Sequence, residues 1–169
     1  MRVFVTGGSG VIGAVALPLL RDAGHEVVAP GHADLDLFDA EAVRAAVAGS
    51  NAVVHLATRV GHTEENDRIR SEGSRNLVDA ALATGAEVYV QPTITFLDLQ
   101  GVRDAERETA RFAAAGGRGV VLRFGLLDGP GTGNDEPNPM YGSTLHVEDA
   151  GRAVLEALEL PSGVYTYER

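Results

Sequence analysis

Three glycines within the first thirteen residues carry the clearest chemistry in the chain. Gly7, Gly10 and Gly13 stand in TGGSGVIG, spaced G-x-x-G-x-x-G, directly after the apolar run RVFVT and at the start of an amphipathic stretch. Glycine keeps a strand-to-helix turn tight and lets a phosphate group approach the backbone. The first-turn N–H groups of the helix then face that phosphate. Val11 and Ile12 open the helix and complete the expected nucleotide cradle. Acid–base candidates are few: Tyr141 and His146 carry the proton-transfer groups that such work needs, and His55 and His62 are further histidines. His55 falls in an apolar run and reads as a hydrogen-bonded core residue. Glu64, Glu65 and Asp67 read as a solvated helix start favoured by the helix dipole.

What is missing is equally informative. There are no cysteines, which removes disulfides, thiolate metal sites and thiol nucleophiles. All 14 basic residues are arginine, so lysine Schiff bases, a P-loop lysine and a catalytic tyrosine–lysine pair are excluded. Acidic residues number 24, and a net charge of −10 disfavours nucleic acid and anionic membranes as partners. No run approaches the roughly 20 apolar residues of a membrane span. The N-terminal apolar run is broken by glycine from Gly7 and does not read as a signal peptide, so a cytoplasmic location is expected.

The elements that must position these residues follow from periodicity. Apolar runs at 2–6, 25–30, 51–56, 87–90, 119–123 and 163–166 read as strands, and 11–23, 40–48, 64–84, 102–115 and 147–158 as helices. Pro18 is expected to kink or shorten the first helix. Residues 125–145, rich in Gly, Pro and Asn, read as an irregular loop. Near-continuous apolar strands alternating with helices predict one α/β domain over residues 1–169, a Rossmann-like doubly wound parallel sheet of about six strands with helices on both faces.

Several motifs, in order along the chain, resemble the extended branch of the short-chain dehydrogenase/reductase superfamily, the NAD-dependent epimerase/dehydratase family. They are the glycine turn, Asp36-Leu37-Phe38-Asp39, Val54-His55-Leu56-Ala57, Gly73-Ser74-Arg75-Asn76-Leu77, Leu122-Arg123 with Gly129-Pro130-Gly131, and His146-Val147-Glu148-Asp149-Ala150. The resemblance implies a bound NAD or NADP. Asp36 and Leu37 would border the adenine, and Leu56, Ala57 and Thr58 would line the nicotinamide ribose. The position that separates NAD from NADP falls on Gly31-His32-Ala33, with Asp34 close by, which leaves the choice open.

Two departures from the family stand out. Its tyrosine–lysine pair would fall near 98–104, where the chain reads DLQGVRD. The family's catalytic hydroxyl is matched by Thr93 in VQPTIT. Only residues 132–145 separate the GPG and HVED motifs, where the family carries its substrate lobe. A pocket would then be built from loops 58–66, 93–101 and 125–145. The reading is an atypical enzyme that acts on a small-molecule substrate through Thr93, Tyr141 and His146, by reduction, isomerisation, dehydration or cyclisation. A non-catalytic nucleotide sensor and a scaffold that binds another ligand are the alternatives. Family members pair through helices matching 64–84 and 102–115, which makes a homodimer an expectation.

Overall fold

The computed structural model describes residues 1–59, 64–138 and 142–169. Six strands form one parallel sheet: β1 (Arg2–Thr6), β2 (Glu26–Val28), β3 (Ala52–His55), β4 (Val88–Ile94), β5 (Arg118–Phe124) and β8 (Gly163–Tyr167), in the order β2-β1-β3-β4-β5-β8. Each inner strand is apolar on both sides, as a sheet covered on both faces requires. Val3, Val5, Val54, Val90 and Leu122 face α1 (Val11–Asp22) and α6 (Val147–Ala157), against Ala16, Leu20, Ala150 and Val154. Phe4, Val53 and Tyr89 face the other layer, α2 (Ala40–Val47), α4 (Ser74–Thr84) and α5 (Gln100–Ala114), against Val43, Leu77, Ala81 and Phe112. The doubly wound parallel sheet expected from the sequence is thus present.

Four details differ from the expectation. Helix α1 runs past Pro18 for another turn, so it is not shortened, and Pro18 faces solvent. Its end is closed by His25 N–H on the Leu20 carbonyl, with Gly24 at φ +84. Strand β4 extends to Ile94, so Thr93 lies inside the strand, paired with Arg123. Pro92 is accommodated there because pairing with β3 ends at Val90, leaving one flank open.

The helical stretch 64–84 is three pieces: α3 (Glu64–Arg68), a π turn (Ile69–Gly73) and α4. The loop 125–145 contains strands β6 (Leu126–Asp128) and β7 (Thr144–His146), which pair in parallel as a second small sheet. Polar side chains shape the turn between them: Asn134 Nδ2 donates to the Leu127 carbonyl, and the Thr132 hydroxyl donates to Gly129.

Candidate functional site

From β1 the chain crosses to β2 on one side, while β3 lies on the other. The carboxyl ends of β1 and β3 therefore form the switch point where open α/β sheets bind ligands. The glycine turn is packed to the limit of backbone contact at this point. Gly7 has φ +72, and a Cβ there would lie 2.4 Å from the Ala57 backbone nitrogen. A Cβ at Gly13 would lie 2.4 Å from the Gly8 carbonyl. Gly10 N–H closes the turn on the Gly7 carbonyl at 3.0 Å.

Helix α1 starts without any of the usual satisfaction of its first N–H groups. Gly10 is its N-cap, no side chain caps it, and no acid occupies its first turn. Helix α2, by contrast, is capped by Asp39 on the N–H groups of Glu41 and Ala42. The free amides and positive dipole end of α1, beside Val11 and Ile12, suit an anionic phosphate. The loop carrying Gly131 borders them, since a Cβ there would come 3.5 Å from Val11.

The DLFD segment is held from behind by the helix that follows β3. Asn76 Nδ2 donates to the Leu37 carbonyl at 2.9 Å, and Leu37 lies over Gly73. Asp36 turns its carboxylate onto the Phe38 N–H, 2.9 Å away, and remains exposed. The Arg68 guanidinium lies 3.7 Å over the Phe38 ring and pairs with Glu72. Leu56 is buried, Ala57 half-buried and Thr58 exposed.

Beneath this loop runs a buried polar chain. His55 is fully enclosed; its Nε2 lies 3.5 Å from the Ile69 carbonyl, an acceptor only, which puts the proton on Nε2. Nδ1 then accepts from the Thr6 hydroxyl at 2.7 Å, and Thr6 in turn accepts from Ala57 N–H. Burial drives the His55 pKa down to about 4, so the ring is neutral near pH 7, consistent with its expected role in the core. Further along, the Thr58 hydroxyl donates to Asn66 Oδ1 at 2.7 Å and accepts from Arg70 Nη2 at 3.3 Å.

Thr93 is nearly sealed, and its hydroxyl donates to Glu106 Oε1 at 2.9 Å. Arg123 grips the same carboxylate with two N–H groups, at 2.9 and 2.6 Å. Arg123 and then Thr93 hold the Glu106 carboxyl below its ordinary range, so it stays ionised. The segment 98–104 begins α5 and places buried Val102 one turn before Glu106. His146 caps α6, its Nδ1 accepting from Glu148 N–H at 3.3 Å, while its Nε2 side packs on Gly129, where a Cβ would lie 2.6 Å away. No hydrogen bond among the described residues joins His146 to Thr93. Tyr141 and His62 lie outside the described residues.

Glu106, Arg70, Asn66 and Thr6 were not singled out from sequence. Each acquires its role from a neighbour at least eight residues away, so no local pattern marks it.

The sequence model of the NAD dependent epimerase/dehydratase family matches residues 3–93. The chain belongs to that family. It is 32% identical to a 3-diazoavenalumate denitrifying reductase of a Streptomyces species, an alignment covering 94% of this chain and 72% of that protein. The fold matches the UDP-glucose 4-epimerase of Thermus thermophilus in complex with NAD, with a TM-score of 0.80 at 20% identity, over 99% of this chain and 78% of that one. It also matches the dTDP-4-dehydrorhamnose reductase of Bacillus anthracis in complex with NADP, with a TM-score of 0.75 at 15% identity, over 99% and 74% of the two chains. This member of the family has no lysine anywhere and hence no tyrosine–lysine pair. Among the described residues, no helix is long and apolar enough to cross a membrane.

Proposed function

We propose that this family member binds NAD or NADP across the ends of β1 and β3 and transforms a small metabolite without the tyrosine–lysine pair. The observation that carries the reading is the close fit at Gly7 and Gly13, together with the uncapped, acid-free start of α1. A turn with no room for a side chain beside a helix end with unsatisfied donors fits a pyrophosphate. Gly7, Gly10, Val11, Ile12 and Gly13 hold the phosphates, Asp36 and Leu37 border the adenine, and Leu56, Ala57 and Thr58 line the ribose. When bound, the nicotinamide supplies a hydride donor or acceptor.

Thr93, Tyr141 and His146 serve the chemistry. Because the Thr93 hydrogen points to Glu106, its oxygen meets a substrate as a hydrogen-bond acceptor. Glu106, held ionised, orients that hydroxyl and is no proton donor near neutrality. His146 accepts at Nδ1, which puts its proton on Nε2, the edge that packs on the Gly129 turn. Tyr141 supplies a second proton-transfer group. A homodimer through residues 64–84 and 102–115 would bring together faces that carry Arg75, Asp79, Arg107 and Arg111, so ionic complementarity would govern it. Its mass by light scattering should then fall toward the monomer as salt rises.

Calorimetric titration of nucleotide-stripped protein with NAD, NADH, NADP and NADPH tests the reading. Micromolar or tighter binding of one redox pair is expected, and binding of none would overturn it. The sensor reading is favoured by the lost pair and by a Thr93 hydroxyl already engaged. It would replace the enzymatic reading if nucleotide bound tightly and no turnover appeared, whereas turnover unaltered by replacing Thr93, Tyr141 and His146 together would overturn only the assignment of those three residues.

A further inference from the structure

Arg70 is an anomaly in the charge plan of this chain. It lies in the π turn with only 9% of its surface exposed, yet among the described residues no carboxylate pairs with it. Among the described residues Arg21, Arg44 and Arg75 also have no carboxylate partner but are exposed, and half-buried Arg118 donates to the Leu160 carbonyl. The Arg70 Nε–H is sealed from solvent with no acceptor. Its hydrogen bond to Thr58 at 3.3 Å is long and reaches a neutral hydroxyl. A guanidinium stays protonated, so a sealed Nε–H without an acceptor and one weak bond from Nη2 leave this largely buried cation incompletely satisfied, which is costly. Burial lowers its pKa, and the nearby Asp67 charge offsets this only in part.

The fold nevertheless fixes this side chain in place. A Cβ on Gly101, in the first turn of α5, would lie 3.1 Å from Arg70 Cβ and 2.9 Å from Asp67 Oδ1, so α5 rests directly on the arginine stem. The preceding residue is anchored by the His55 ring on the Ile69 carbonyl. The guanidinium is thereby held at Thr58, which is exposed and adjoins the Ala57 backbone that meets the Gly7 turn. π turns often occur at functional sites. A largely buried cation, held in place with no carboxylate partner among the described residues and a sealed Nε–H beside Thr58, is arranged to be completed by an anion.

We propose that Arg70 is the anion-recognition residue of the substrate pocket and that the substrate carries a carboxylate there. The assignment rests on the functional reading above and narrows its substrate class. A monoanion matches the single guanidinium, whereas a phosphate dianion would also meet the Asp67 carboxylate beside it. The planar arginine fork takes a carboxylate through two parallel N–H bonds, and Thr58 is free to release its long one.

The test uses protein labelled with 15N-arginine and follows the Arg70 Nε–H resonance while acetate, benzoate, benzamide or inorganic phosphate is added, with and without the nucleotide that binds. At millimolar concentration a carboxylate should shift that resonance while benzamide does not. Arg70→Lys should weaken carboxylate binding about tenfold or more, with nucleotide affinity held within about twofold. The proposal is overturned if neither carboxylate moves the resonance, if Arg70→Lys binds them equally well, or if phosphate binds more tightly. Should Arg70→Lys fail to fold, through-bond assignment of the wild-type resonance reads the same outcomes. Carboxylate binding without any nucleotide binding would sink the functional reading and leave Arg70 standing; the converse would sink Arg70 alone.

Discussion

The two halves of the sheet are built by different means. On the β1–β3 side the site is backbone against backbone: Gly7 on Ala57, Gly13 on Gly8, and a helix start with its amides uncapped. On the β4–β5 side it is side chain against side chain, with Thr93, Glu106 and Arg123 closed into a charged network beside α5. The first arrangement leaves donors unsatisfied and so invites an anion, while the second satisfies its own charges internally. The glycine pattern that resembles the family lies on the main-chain side, and the missing tyrosine–lysine pair falls on the side-chain side. Arg70 stands between the halves as the buried charge that neither completes.

The largest effect expected from breaking this contrast is at Gly7. Gly7→Ala forces a side chain into a left-handed conformation and onto the Ala57 nitrogen, so strand β3 or the turn must move. Nucleotide affinity should fall by about 100-fold or more, together with a lower melting temperature, as calorimetry and thermal unfolding would show. Unchanged affinity would remove the backbone half of the comparison.

Next is the pH response of His55, which lies beneath the β1–β3 half. Its pKa is lowered from 6.5 to about 4, so between those values the unfolded chain takes up a proton that the folded chain refuses. Stability is therefore full above about pH 6.5 and falls as pH drops toward 4, by about 3 kcal/mol. Denaturant unfolding at several pH values should show this slope, and His55→Gln should flatten it.

Glu106→Gln probes the other half and should cost about 1–2 kcal/mol at pH 7, the half-exposed Arg123 weakening the pair. The Glu106 pKa is depressed, so its contribution is present at neutral pH and lost as pH falls through the folded value. Wild type and variant should therefore converge in stability at low pH, and nucleotide affinity should not change. The smallest effect is at the capped helix that contrasts with α1: Asp39→Ala should cost about 1 kcal/mol in thermal unfolding and leave nucleotide binding intact.

The sheet and the glycine turn were legible because they rest on local patterns: an apolar run, then glycines at fixed spacing, then an amphipathic helix. The apolar pattern stops short of the end of β4 because Gln91, Pro92 and Thr93 do not continue it. Their place in the strand is decided by pairing with β5. Strands β6 and β7 were hidden in a Gly- and Pro-rich stretch because three-residue strands are set by each other's register. The Thr93–Glu106–Arg123 network joins residues 13 and 17 positions apart on three elements, and the position of Arg70 depends on a π turn that helical periodicity does not reveal.

The amides at the start of α1 and the Ala57–Thr58 backbone form the proposed nucleotide site. Amide 15N–1H shifts during titration with NADH and NADPH test it most directly. The largest shifts are expected on Gly8, Ser9, Gly10, Val11 and Ile12, followed by Ala57 and Thr58, with smaller changes along α5. Shifts absent at these amides, or concentrated in the charged groove between α3 and α5, would contradict it.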